Sequence, residues 1–319
     1  MTAEGDLGRQ GSYAVGKKVR WQTDSYGYRS SPADDEVYEI VLVGDSFAVG
    51  SSLDHEDTLA GQLGNLLKRD VYAFAPEARF SVPLRSARFQ NPRTSCFVLV
   101  LSERSLEGLP LAEGTLESLA SSPATSFSGL VILIDRLAKA SLLRAGRNNI
   151  RRWFSRIAEM AVGVEPSIPM HPSAIVGANG VLFRDPRLED DQAYGKPEAA
   201  DRLIEVLHSY RTAAEALGKH FVFMPIPEKE TVYWQRTGGL RDPEIYLSFV
   251  KRTEMSGIAT VDLLTPYLEF EARDDRIDLY HADDSHWTAL GVSVAAELLG
   301  PACTTQARSS HEPSAAKLN

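Results

Sequence analysis

Tyr38-Glu39-Ile40-Val41-Leu42-Val43-Gly44-Asp45-Ser46-Phe47 is the stretch on which the reading of this chain turns. Its first part is an apolar run of single-strand length, ending in four consecutive aliphatic residues. Such runs belong to parallel sheets covered on both faces, because a strand with one wet face alternates instead. The second part breaks the run with Gly44, Asp45 and Ser46. Gly44 permits a tight exit, Asp45 can hydrogen-bond the turn backbone, and Ser46 stands at the carboxyl end of the strand. Open α/β sheets hold their sites at that end.

Working outward, further apolar runs of strand length occur at Val71–Phe74, Phe97–Leu101, Phe221–Ile226 and Ile258–Val261. Helical spacing separates several of them. Leu59, Leu63, Leu66 and Leu67 follow the acidic start Asp54-His55-Glu56-Asp57, and Leu203, Val206, Leu207 and Tyr210 precede Gly218, a natural helix stop. Leu290, Val294 and Leu298 mark another helix just after His286. The alternation predicts a three-layer α/β/α sandwich with a mainly parallel sheet, flavodoxin-like in type. It lacks a nucleotide site of the usual kind, since the loop holding Gly44 and Gly50 contains neither GxGxxG nor GxxxxGK[ST].

The domain plan is an N-terminal extension over 1–25, a catalytic domain over 26–302, and a disordered tail over 303–319. A helical insertion at about 105–170 interrupts the catalytic domain. Within it, Arg136, Lys139, Arg144, Arg147, Arg151, Arg152 and Arg156 occur with no acid among them. That asymmetry reads as a solvated helical face, or as a surface for an anionic polymer, a membrane or a partner protein.

The 319-residue chain carries a net charge of −9, which argues against general nucleic-acid binding. No apolar run approaches the roughly 20 residues that cross a bilayer. The N-terminal MTAEGDLGRQ is polar and acid-bearing, unlike a secretory signal. At face value the chain is cytoplasmic, or it is a mature or truncated form. Of the two cysteines, Cys96 opens the apolar run CFVLVL and reads as a buried small hydrophobe, while Cys303 lies near the polar tail. Nothing in the sequence requires a disulfide between them, and neither sits in a CxxC pair.

The second block that carries chemistry is Asp284-Ser285-His286-Trp287. A serine hydroxyl is a poor nucleophile until a base removes its proton, and an imidazole needs a partner to fix its tautomer. Ser46 as nucleophile, His286 as base and Asp284 as orienting carboxylate meet both needs if the fold brings them together. Other readings stand beside this one. Asp284 or Ser285 can cap the following helix, His286 can be a core residue beside Trp287, and His281, Asp283, Asp284 and His286 include metal-ligand types without a recognised spacing.

Together these segments resemble the SGNH/GDSL hydrolase superfamily, in its AlgX/AlgJ-like branch of polysaccharide O-acetyltransferases. Gly44-Asp45-Ser46-Phe47 is similar to the block that carries the family nucleophile, and Asp284-Ser285-His286-Trp287 to the branch's Asp-x-His-Trp block. Gly177-Ala178-Asn179-Gly180-Val181-Leu182-Phe183 resembles its glycine-rich segment. Pro225-Ile226-Pro227-Glu228-Lys229, followed by Tyr233, resembles a strand end of the branch, and Leu101-Ser102-Glu103-Arg104 another. The resemblance reaches from about Tyr26 to Leu299. It implies catalysis by Ser46, His286 and Asp284 without cofactor or metal, an acyl donor and a glycan acceptor as partners, and a periplasmic or extracytoplasmic location. It leaves Arg104, Lys229, Tyr233 and Trp287 as candidates for the oxyanion or the substrate, each with packing or ion pairing as the alternative. This chain departs from the branch in two ways. Ser46 precedes the Asp-x-His-Trp block instead of following it, and the glycine and asparagine that complete the oxyanion hole of ordinary members have no match at Ala75-Pro76 or after Leu101.

Overall fold

The structure, a computed structural model, describes residues 2–3, 6–7, 17–24, 26–29, 37–76, 79–109, 174–177, 181–185, 192–239, 241–273 and 278–309. Its frame is a parallel sheet of β3 (Ile40–Gly44), β4 (Val71–Phe74), β5 (Cys96–Ser102) and β8 (His220–Ile226), in the spatial order β4-β3-β5-β8. A single parallel bridge between Phe223 and Thr260 extends the far edge. Counted along the chain, the order is second, first, third, fourth, fifth, the flavodoxin-like arrangement. Two short antiparallel pairs lie apart from this sheet: β1 (Thr2–Ala3) with β2 (Lys17–Lys18), and β6 (Ala174–Val176) with β7 (Leu182–Arg184).

Every residue of β3 and β5 is buried, as the unbroken apolar runs require. Alternate side chains enter two different cores. Ile40, Leu42, Val98, Val100, Val222 and Met224 pack with α2 (Leu59–Leu67), α7 (Leu264–Glu271) and α8 (Ala289–Ser309). Val41, Val43, Phe97, Leu99, Phe221 and Phe223 pack with α3 (Ser81–Leu84) and α4 (Pro197–Ala216). The helix α6 (Pro243–Met255) contributes Tyr246 and Val250 to the first core and Phe249 to the second. Each aliphatic side chain so buried is worth roughly 1.5–3 kcal/mol. The two-sided packing is therefore what fixes the three layers.

Several boundaries differ from the sequence reading. Ile258–Val261 forms only the one-residue bridge, because Asp262 accepts from the N–H groups of Leu264 and Thr265 at 3.0 and 3.2 Å and turns the chain into α7. The tail expected from residue 303 does not begin there. The helix α8 runs through Pro301 to Ser309, and the Cys303 side chain is buried in the core. Two described residues of the expected extension reach the site's loop: the Leu7 N–H donates to the Asp283 carbonyl at 3.2 Å, and Lys17 lies 3.6 Å from the Asp283 carboxylate. The basic helical stretch lies outside the described residues, as does the end of the tail. Among the described residues, no helix is long and apolar enough to cross a membrane.

Candidate active site

Ser46 opens α1 (Ser46–Val49), a single turn at the carboxyl end of β3. Asp45 caps that turn by accepting from the Phe47 N–H at 3.0 Å, and its other oxygen accepts from the Ser102 hydroxyl and N–H and from the Ser105 hydroxyl, at 2.7–2.9 Å. The carboxylate thus ties the serine turn to the end of β5. Gly44 is needed for close approach: a Cβ there would lie 1.8 Å from the Val100 carbonyl oxygen. At the other end of the turn, Gly50 takes the left-handed conformation (φ 74°) that a side chain would disfavour.

The loop before α8 brings the second block against this turn. His286 Nε2 lies 2.7 Å from Ser46 Oγ, and His286 Nδ1 lies 2.6 Å from Asp284 Oδ1. The Asp284 carboxylate also accepts from the His286 N–H at 3.1 Å and, on its second oxygen, from the Ser52 hydroxyl at 2.6 Å. The three sequence-predicted residues are therefore joined by hydrogen bonds across 240 positions of chain. Phe47 packs on the imidazole with ring centroids 4.9 Å apart, and the ring is almost fully buried.

Burial disfavours the charged form of both members of the His286–Asp284 pair, but their mutual hydrogen bond and charge outweigh it. The Asp284 carboxyl is held well below its ordinary range, and the His286 imidazole is raised above its usual 6.5. Such a pair holds the imidazole in the tautomer whose Nε2 accepts from the serine hydroxyl.

Around this chain lie groups that the sequence reading did not single out. Ser52 holds Asp284 from a left-handed backbone position (φ 66°). Asp6 accepts from the Ser285 N–H at 2.7 Å and from its hydroxyl at 2.6 Å. Neither carries a local signature, since each acts through a contact more than 200 residues away along the chain. Asp6, Asp284 and His286 each bring a potential metal-ligand atom within 4.8 Å of the others, but all of these groups have hydrogen-bond partners that account for their placement. His281 and Asp283, the other metal candidates, are not part of that group.

The four residues proposed for oxyanion or substrate are placed differently. Lys229, at the start of α5 (Lys229–Val232), is fully buried. Its Nζ donates to the carbonyls of Leu182 and His281 at 2.6 Å each, of Ala282 at 3.2 Å and of Asp284 at 3.3 Å. It clamps the base loop from behind, with its ammonium engaged by backbone carbonyls. Tyr233 is also buried, and its hydroxyl accepts from the Leu279 N–H at 3.2 Å. Trp287 is wholly buried, edge-on to Phe47 at 5.4 Å. These three are corrected from substrate candidates to supports of the site. Arg104 alone lies beside the chemistry with a partly exposed side chain. It pairs with Glu228 at 3.2 Å and donates to the Ser285 hydroxyl at 3.3 Å. Glu103, its neighbour in sequence, instead pairs with Arg241 at 3.0 Å.

A flavodoxin-like parallel sheet, with a serine turn after its first strand and an Asp-x-His loop before its last helix, defines an SGNH-like α/β/α fold. Comparison with known proteins points to one branch of that class. Residues 174–318 match the family described as "ALGX: SGNH hydrolase-like domain, acetyltransferase AlgX". A protein of Pseudomonas syringae pv. tomato named "Probable alginate O-acetylase AlgJ" is 29% identical over 146 residues, covering 44% of this chain and 36% of that protein. One of the same name from Pseudomonas putida is 26% identical over 144 residues, covering 42% and 36%. The resemblance to the AlgX/AlgJ-like SGNH branch is thereby borne out. The chain spans about a third of the length of these curated relatives, and the family match includes Asp284 and His286 but begins well after Ser46. A solved crystal structure aligns over 85% of this chain at 13% identity and a TM-score of 0.36, too low to bear on the fold.

Proposed function

We propose that this chain is a serine O-acyltransferase that acetylates a polysaccharide hydroxyl through an acyl-Ser46 intermediate. The observation that carries the proposal is the hydrogen-bonded chain Ser46–His286–Asp284 at the carboxyl edge of the sheet. Ser46 Oγ attacks the acyl carbonyl of the donor while His286 Nε2 takes its proton, and Asp284 stabilises the imidazolium. The Ser46 N–H, at the first position of α1 where helices leave N–H groups without an intrahelical partner, is the donor for the oxyanion. Collapse expels the donor's leaving group with the proton from His286. A sugar hydroxyl, deprotonated in turn by His286, then attacks the acyl-serine and leaves as the ester. Water in that second step gives a carbohydrate esterase instead.

The name of the curated relatives, alginate O-acetylase, supports an acidic polysaccharide as acceptor. The resemblance to this branch supports an extracytoplasmic place of action. A catalytic domain that opens at about residue 26, with a basic insertion contacting an anionic polymer, surface or partner protein, is part of the same proposal. A non-catalytic glycan-binding or assembly role is the competing reading. It is favoured by Ala75-Pro76 and Ser102-Glu103-Arg104 standing where ordinary members carry further oxyanion donors.

The test mixes purified chain with p-nitrophenyl acetate, with and without alginate, beside Ser46→Ala and His286→Ala. Nitrophenol release abolished by both substitutions, with acetyl appearing on the glycan, supports the transferase. Release unchanged by alginate selects the esterase, and activity equal in wild type and Ser46→Ala removes Ser46 from the mechanism. No reaction of Ser46 with the ester or with an organophosphonate selects the binding role.

A further inference from the structure

Cys96 and Cys303 meet far from the candidate active site, at the opposite end of the sheet. Cys96 is the first residue of β5, a central strand, and Cys303 lies on the last turns of α8. Both are buried in the same core, and their Sγ atoms are 2.8 Å apart. Unbonded carbon atoms rest at roughly 3.5–4.0 Å, and sulfur is larger. Bonded sulfurs sit at about 2.05 Å. The pair is thus closer than packing alone brings two thiols. A second contact fixes the same approach of strand and helix: His220, the register partner of Cys96 on β8, has Nε2 3.1 Å from the carbonyl of Ala302. No carboxylate or imidazole joins the two cysteines in a metal-ligand group among the described residues.

We propose that Cys96 and Cys303 are a disulfide site that staples the C-terminal helix to the central strand. The bond forms by thiol–disulfide exchange with a small disulfide such as oxidised glutathione. One cysteine thiolate attacks that disulfide and releases the first glutathione thiolate. The second cysteine thiolate attacks the mixed disulfide and releases the other, so two protein thiols are oxidised as one disulfide is reduced to two thiols. Burial pushes the Cys96 thiol well above its ordinary value, so the folded protein holds little thiolate and exchange belongs to the folding chain. A staple of this kind suits an oxidising compartment. The proposal is independent of the chemistry at Ser46.

The full chain, reduced in denaturant, is refolded with a glutathione redox pair, and unreacted thiols are then alkylated under denaturing conditions. The expected product is unalkylated and lighter by two hydrogens. Cyanogen bromide cleaves at Met160 and Met255, so Cys96 and Cys303 fall on the separate fragments 2–160 and 256–319. These fragments stay joined without reductant and separate with it. Reductant lowers Tm by roughly 4–10 °C in wild type and leaves Tm unmoved in Cys96→Ala and Cys303→Ala. Full alkylation of both cysteines in the refolded chain, or a glutathione adduct on either one, overturns the proposal.

Discussion

Replacing Lys229 by Met tests whether the base loop depends on a buried ammonium. Met keeps the length of the side chain and removes every donor. The two short hydrogen bonds, to the carbonyls of Leu182 and His281, are 2.6 Å each. Hydrogen bonds to charged groups contribute roughly 1.5–3 kcal/mol each, so their loss amounts to about 3–6 kcal/mol. Against this stands the desolvation of the ion, which pushes the ammonium from its ordinary 10.5 down to about 8. Relieving that burial returns about 3 kcal/mol at pH 7, at 1.36 kcal/mol for each tenfold change in proton affinity. The net destabilisation near pH 7 is therefore about 0–3 kcal/mol. Between pH 8 and 10.5 the unfolded chain binds more protons at Lys229 than the folded one, so wild-type stability gains from this group as pH rises. By about pH 9.5 that gain reaches about 2 kcal/mol, and Met lacks it, so the destabilisation grows to about 2–5 kcal/mol. The loosened loop carries Asp284 and His286, and a displacement of about 1 Å there lowers kcat/KM by roughly 100-fold. Urea unfolding at the two pH values and hydrolysis of p-nitrophenyl acetate read both effects. A stability difference that does not change with pH, together with kcat/KM within threefold of wild type, would refute the clamp.

Ser46→Ala and His286→Ala each lower kcat/KM for the same ester by roughly 10⁴-fold or more, with urea midpoints close to wild type. Asp284→Asn, which keeps the shape and loses the charge, lowers it by roughly 10⁴-fold. In wild type, kcat/KM falls as acid protonates His286, with a midpoint above the ordinary 6.5 because Asp284 outweighs burial; a midpoint at or below 6.5 contradicts the pairing. Ser52→Ala removes one hydrogen bond to Asp284, worth about 1 kcal/mol, and lowers kcat/KM by about 3- to 10-fold without changing KM. Gly44→Ala forces a methyl against the Val100 carbonyl and destabilises the chain by about 2 kcal/mol or more, read as a lower urea midpoint.

The sequence by itself determined the central strands and singled out the candidate site residues toward both ends of the chain. Val41–Val43 and Phe97–Leu101 are legible because burial on both faces demands unbroken apolar residues, a local signal. Ser46, Asp284 and His286 are legible because a hydroxyl, a carboxylate and an imidazole are chemically distinctive types at a strand end and before a helix. Only the tertiary structure decided what stands around them. Lys229 carries an exposed-looking charge in sequence, yet the fold turns it inward because three carbonyls of a tight loop and one at the start of β7 need a donor. Tyr233 and Trp287 have the composition of sugar-stacking residues and the burial of core residues. Arg104 pairs with Glu228 and not with its neighbour Glu103, which Arg241, Tyr194 and Thr231 have already claimed. Ser52, Asp6 and the Cys96–Cys303 contact left no trace in the sequence, because each is made between segments more than 200 residues apart. Local pattern records what a residue buries, and only the packed chain records what it meets there.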